Sequence, residues 1–183
     1  MNIMLVLVLA ATVYRAEPVN GTVGFSIMKW GVIKEEGTFR EFNADIVFDE
    51  KNAAASRVAF DVEVDSVDTK NEGRDKTLRS EHFLHAKRYP RMTFRSTKVV
   101  PRGKDLADVT GNLTIRGVTR SVTVPVRLLG VSKSDGHRRA GFETSFVIKR
   151  RAFGVTGGGW TAEFPGVLGE DVTIRIIAGG VSR

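Results

Sequence analysis

Arg57-Val58-Ala59-Phe60-Asp61-Val62-Glu63-Val64-Asp65 alternates between apolar side chains and charged or small ones along its whole length. Successive side chains of a β-strand point to opposite faces. A period of two therefore places Val58, Phe60, Val62 and Val64 on one face and Arg57, Asp61, Glu63 and Asp65 on the other. Such a strand packs one face on a core and turns the other to water. The pattern recurs in both directions. Upstream lie Val23, Phe25 and Ile27, then Gly37-Thr38-Phe39 with Phe42, which join Ile46 and Phe48 in one long bent strand or two shorter ones. Downstream lie Met92 with Phe94, Val109 to Ile115 through Leu113, Val122 to Leu128 through Val124, Ala140 to Ile148 through Phe142 and Phe146, and Val172 to Ala178. Seven or eight strands follow.

Turns are legible at Asp49-Glu50-Lys51-Asn52, Pro101-Arg102-Gly103-Lys104, Arg116-Gly117-Val118-Thr119 and Ser134-Asp135-Gly136, where Gly, Asn, Asp and Pro supply the required backbone angles. Short links make successive strands antiparallel neighbours, and closing such a meander removes exposed edges. The pattern predicts an all-β domain, a closed antiparallel barrel of about eight strands, with a two-sheet sandwich as the structural alternative. The 183 residues fit one domain, and 19 glycines against 5 prolines suit strands joined by tight turns. With no cysteine, disulfides, Cys-ligated zinc, Fe–S clusters and thiol catalysis are excluded.

Two segments break the alternation. Thr69 to Pro90 reads as a short helical segment near residues 72–88 followed by a loop. Arg151 to Glu170, with Gly157-Gly158-Gly159-Trp160, reads as an irregular crossing over a barrel end. Arg74, Asp75 and Arg79 suit either an ion network pinning the first segment to the rim or recognition of an anionic head group. At the N-terminus, the run Ile3 to Ala11 has the length of a signal-peptide core and is too short to span a bilayer.

The net charge of +7 is scattered along the chain, with no basic run of five, so a solvated basic surface is expected and no nucleic-acid partner. His82 and His85 stand three apart beside Glu81, but a third ligand is missing, and they are read as part of a polar loop rather than a metal site. No serine sits in a nucleophile-elbow context, and nothing ties a Ser–His–acid set together. No catalytic residue and no cofactor are expected. Asp61, Glu63 and Asp65 point outward by alternation, and no histidine falls in a predicted strand.

The run Asp65-Ser66-Val67-Asp68-Thr69-Lys70-Asn71-Glu72-Gly73-Arg74-Asp75-Lys76-Thr77-Leu78-Arg79-Ser80-Glu81-His82-Phe83 resembles the central signature of the YceI-like family, lipocalin-like bacterial proteins described as polyisoprenoid-binding. The likeness continues in Tyr89-Pro90, Phe94-Arg95-Ser96, Gly111 to Thr119, Lys149 to Gly154 and Asp171 to Ile174, and it spans roughly Tyr14 to the C-terminus. The resemblance implies an eight-stranded lipocalin-like barrel with a tunnel for a long isoprenoid tail. It places the lipid-binding domain at residues 14–183 and reads residues 1–13 as the remnant of an export signal, for a protein in the periplasm or otherwise exported.

On that reading the lumen is lined by the inward apolar set. It comprises Phe25 and Ile27, then Phe39, Phe42 and Phe48, then Phe60, Val62 and Val64, then Phe83, Phe94 and Leu113, and finally Val124, Phe142 and Phe146. Arg74, Arg151 and Trp160 stand at the rim near a polar head. The expected function is a binding or carrier protein for an isoprenoid lipid or quinone. Its further expected partners are a pyrophosphate head group on that lipid, a transient membrane contact and a homodimer. The rival from another class is an enzyme acting on a lipid in the same lumen, which needs an acid–base pair facing inward. A third reading, a solid core with an outer interaction surface, requires that no cavity exceed a few hundred cubic ångströms.

Overall fold

The computed structural model describes residues 11–182. The strands are β1 (Thr12–Lys29), β2 (Ile33–Phe39), β3 (Phe42–Phe48), β4 (Arg57–Glu63), β5 (Val67–Asp68), β6 (Arg91–Pro101), β7 (Leu106–Ile115), β8 (Val118–Ser134), β9 (His137–Lys149) and β10 (Leu168–Ser182). Two short helices, α1 (Glu72–Arg79) and α2 (Gly158–Glu163), lie in the two segments that break the alternation. The second segment is thus less irregular than its glycines suggest: it holds a 3-10 turn at Arg150–Phe153 as well as α2.

All strands form one antiparallel sheet in the order β10-β9-β8-β7-β6-β4-β3-β1-β2-β5, and β10 pairs with β1 to close it. Residues Thr12 to Ala16 of β1 pair with β3, and Val23 to Lys29 pair with β2, so β2 and β3 are one strand bent at Arg40 and Glu41. β4 and β5 are likewise joined through the 3-10 turn Val64–Ser66, pairing with β3 and β2 respectively. With each bent pair counted once, the ten segments make an eight-stranded closed barrel. Closure rules out the two-sheet sandwich, which leaves edge strands. Val13 and Thr12 continue β1 two residues ahead of Tyr14, paired with Val47 and Phe48. Up to Ala10, the expected export-signal remnant lies outside the described residues.

Both hairpins that bracket β8 turn on two residues with positive φ, Arg116 with Gly117 and Asp135 with Gly136, the backbone twist that matches right-twisted strands. A Cβ on Gly111 would lie 2.5 Å from Phe94 Cζ and 2.6 Å from the Arg95 carbonyl oxygen, so the Phe94 ring rests against bare backbone. Tyr14, fully buried, packs among Ala16, Ala44 and Ala140, whose small side chains leave room for the phenol. His137 opens β9 at its exposed end, so one histidine does fall in a strand.

Candidate functional site

The barrel encloses a cavity of about 600 Å³, which disposes of a solid core. Its wall comes from every strand of the closed barrel: Val23, Phe25 and Ile27 from β1, Val58, Phe60 and Val62 from β4, Val109, Leu113 and Ile115 from β7, and Val172, Ile174 and Ile176 from β10 among others. Period-two alternation aims these side chains inward because an eight-stranded barrel leaves an interior about wide enough for one slender ligand. Aromatic rings bend its outline. Phe48 meets Phe142 edge-on at 5.7 Å between centroids, and Phe25 lies 5.5 Å from Phe39.

Of the side chains expected at the site, Phe25, Ile27, Phe39, Phe48, Phe60 and Val62 line the cavity, as do Arg74, Phe83, Phe94, Leu113, Val124, Phe142, Phe146 and Trp160. Three do not. Phe42 stacks on Phe60 at 5.4 Å, wedged over Gly21 in the solid part of the core. Val64 falls in the 3-10 turn after β4, where the period of two ends, and is buried there. Arg151 lies outside the lumen, where its guanidinium pairs with Glu170 at 3.4 Å. Lys29 and Glu35 at the mouth were not anticipated. Glu35 sits in the stretch Ile33-Lys34-Glu35-Glu36, which has no alternation to betray an inward position.

The α1 segment is fastened to the mouth by its signature residues. Asn71 caps the helix, its Oδ1 accepting from Arg74 N at 3.0 Å. Asp75 is buried, and its Oδ1 accepts from Thr69 N at 2.8 Å and Thr69 Oγ1 at 2.6 Å. Arg74 donates from Nε to Thr69 Oγ1, from Nη2 to Thr69 O and from Nη1 to Glu35 across on β2. Arg79 donates to the carbonyls of Asp65 and Val67, 2.9 Å each. Leu78, Phe83 and Leu84 are thereby set against the lumen.

The opposite side of the mouth is built on Arg150, which is 3% exposed. Its guanidinium donates to the backbone oxygens of Gly169, Val155, Thr156 and Leu168. Burial pushes its pKa below the ordinary arginine value, neighbouring Arg151 adds to that and Glu170 opposes it. Arginine nevertheless keeps its proton. Arg116 joins the two segments, donating to the carbonyls of Glu81 and Gly154. His82 packs against Gly158, where a Cβ would lie 2.7 Å from the imidazole Cγ, and its carbonyl accepts from Gly157 N. The glycine run therefore serves close approach.

Acidic residues touch the cavity at its ends. Glu35, Glu36, Glu50 and Glu143 are each engaged by a basic partner, Arg74, Lys34, Arg138 and Arg127 respectively. Asp61 and Glu63 face outward in ion pairs with Arg95 and Arg91. Within the wall, Thr144 Oγ1 has no hydrogen-bond partner among the described residues.

A closed antiparallel barrel with an apolar interior and loops over one end has the architecture of the lipocalin-like barrels. The comparisons with known proteins carry this to a family: the chain belongs to the YceI-like family, whose YceI-like domain matches residues 14–178. Protein YceI of Salmonella arizonae is 43% identical over 135 residues, 73% of this chain and 70% of that protein. Among solved structures, BcnA of Burkholderia cenocepacia is similar with a TM-score of 0.79 and 29% identity, covering 90% of this chain and 98% of that one. A polyisoprenoid binding domain from Saccharophagus degradans, described as implicated in plant cell wall breakdown, shares the fold at a TM-score of 0.73 and 15% identity, over 94% of this chain and 99% of that one.

Proposed function

We propose that this protein is a binding or carrier protein that holds the tail of an isoprenoid lipid or quinone in the barrel lumen, with the polar head at the mouth. The apolar cavity of about 600 Å³, walled by Phe, Val, Ile and Leu from all around the barrel, carries this reading. Each buried methylene of a chain contributes about 0.8 kcal/mol before ordering costs, so affinity for a long tail needs no specific polar contact. The head falls among Lys29, Arg74 and Trp160, since Arg151 lies outside. Lys29 and Arg74 both pair with Glu35 there, so a pyrophosphate would take the place of that carboxylate between the two cations, and a quinone ring suits the indole. The same reading places the protein in the periplasm or otherwise outside the cytoplasm, on the strength of the run Ile3 to Ala11, and fractionation of the host checks that.

Native mass spectrometry of protein purified from its own host, followed by solvent extraction, tests the reading. A co-purifying prenyl lipid or quinone is the expected result. Recovery of no hydrophobic ligand, together with no binding of prenyl pyrophosphates or quinones added in solution, defeats it.

A further inference from the structure

The mouth carries an apolar surface that extends beyond the lining of the lumen. At the β1–β2 turn Trp30 is 57% exposed, Val32 80% and Ile33 43%, and in the segment after Gly157 Trp160 is 41% and Phe164 51% exposed. The two loops are tied together: Trp30 N donates to Val167 O at 2.8 Å, and Val167 N to Phe164 O at 3.1 Å. Lys29 Nζ stands 4.4 Å from the Trp30 ring centre and 5.8 Å from that of Trp160. Trp30 also sits at φ 52, a left-handed position that bulky residues rarely occupy. Neither core packing nor turn chemistry calls for an indole there, and Asn or Gly would fold with less strain.

We propose that these two loops dock the mouth of the barrel on the surface of an anionic lipid bilayer. Indole rings rest at the boundary between headgroups and acyl chains, and a lysine beside them extends its ammonium to the headgroups. Indole, phenyl and aliphatic side chains exposed beside an ammonium suit the boundary between the polar and apolar layers of a bilayer. Trp160 and Lys29 line the cavity as well, so the apolar surface runs from the tips into the lumen and a tail would pass between bilayer and barrel without crossing water. The net charge of +7 draws the protein to an anionic surface, after which tip insertion orients it. The purpose of docking rests on the lumen holding a lipid tail; the docking itself does not.

Flotation of the full chain with unilamellar vesicles of phosphatidylcholine and phosphatidylglycerol tests the proposal. The wild type should float. The triple variant Trp30→Asn, Val32→Ser, Phe164→Ser should partition about tenfold more weakly, since binding scales with the apolar area inserted. The variant Leu129→Ser, Val131→Ser, exposed on β8 at the other end of the barrel, should float like wild type. Wild-type protein that stays in solution, a triple variant that floats unchanged, or an equal loss in the β8 variant overturns the proposal. Fluorescence gives a second readout that needs only one mild substitution. With Trp160→Phe, Trp30 is the one remaining tryptophan of the chain, and its emission should shift to the blue on adding vesicles. An unmoved spectrum refutes insertion. Binding of soluble prenyl pyrophosphates, measured on the same triple variant, should persist. Flotation without prenyl binding by the wild type supports docking and defeats the lumen reading.

Discussion

The two segments that cover the lumen mouth are held down by arginines in opposite electrostatic settings. Arg74 lies at the edge, about a third exposed, and its charge meets the carboxylate of Glu35, itself partly exposed. Around it Asn71, Thr69 and Asp75 share the work of fixing α1. Arg150 is buried, and four backbone oxygens accept from it with no carboxylate among its hydrogen-bond partners in the described residues. Five fixed donors let one guanidinium gather carbonyls from Val155 and Thr156, which lie in no strand, and from Leu168 and Gly169 at the start of β10. The α1 segment is thus a distributed clasp, in which the loss of one member leaves the contacts of the others in place. The Arg150 segment is gathered on one side chain: without it Val155, Leu168 and Gly169 lose that donor together, and Thr156 O is left with Thr161 Oγ1.

The sharpest way to break this comparison is to remove that side chain. Arg150→Leu should cost about 4 kcal/mol in urea unfolding, because it buries several carbonyl oxygens without donors while saving the desolvation of only one cation. Arg150→Lys should recover less than half of that, since an ammonium is a point donor that cannot span the same fork. A loss under about 1 kcal/mol for the leucine variant would make the two segments equivalent.

The next effect belongs to the buried member of the other clasp. Asp75→Ala should cost about 2–3 kcal/mol, as Thr69 N and Oγ1 lose a charged acceptor in a buried place. Hydrogen exchange should localise the opening to α1 and leave the Arg150 side protected. The Arg74–Glu35 pair should matter least of these. A double-mutant cycle with Arg74→Met and Glu35→Gln should give a coupling below about 1 kcal/mol, because solvent reaches both partners.

The strand faces behind these loops were legible because each buries one side only. Val58 to Val62 announces its own register, whereas Phe39, Phe42, Ile46 and Phe48 left one bent strand or two shorter ones open until the pairing with β1 decided for the bend. Legibility fails where both faces are wet or the period stops. Leu129 to Ser134 of β8 is exposed throughout, so its polarity carries no period and the hairpin reads shorter than it is. Ile33 to Glu36 hides an inward Glu35 for the same reason. Val64 continues the alternation on paper, yet the chain coils there to let β5 meet β2. Arg151 and Arg150 are adjacent cations, and only the fold decides that Arg150 is drawn inward to four carbonyls while Arg151 stays on the surface with Glu170.

The smallest expected effect separates the two segments by pH. Asp68 precedes α1, and its carboxylate accepts from Lys70 N at 2.8 Å and from Arg40 Nε at 2.9 Å. The Lys70 amide, with the Arg40 guanidinium second, holds its pKa below the ordinary carboxylate value. A carboxyl with a lowered pKa in the folded state adds stability above its unfolded pKa, and that contribution is lost as the pH falls through the folded one. The turn leading into α1 should therefore loosen below about pH 4, where free aspartate begins to take up its proton. The Arg150 side has no acid among the acceptors of its guanidinium and should lack that dependence. Hydrogen exchange of Lys70 and Asn71 amides between neutral and acid pH, compared with Val155 and Gly157, reads the difference directly. Asp68→Asn should flatten the pH dependence at α1 while leaving the amides around Arg150 unchanged. Equal acid sensitivity on both sides would mean that global unfolding, not this carboxylate, governs the mouth.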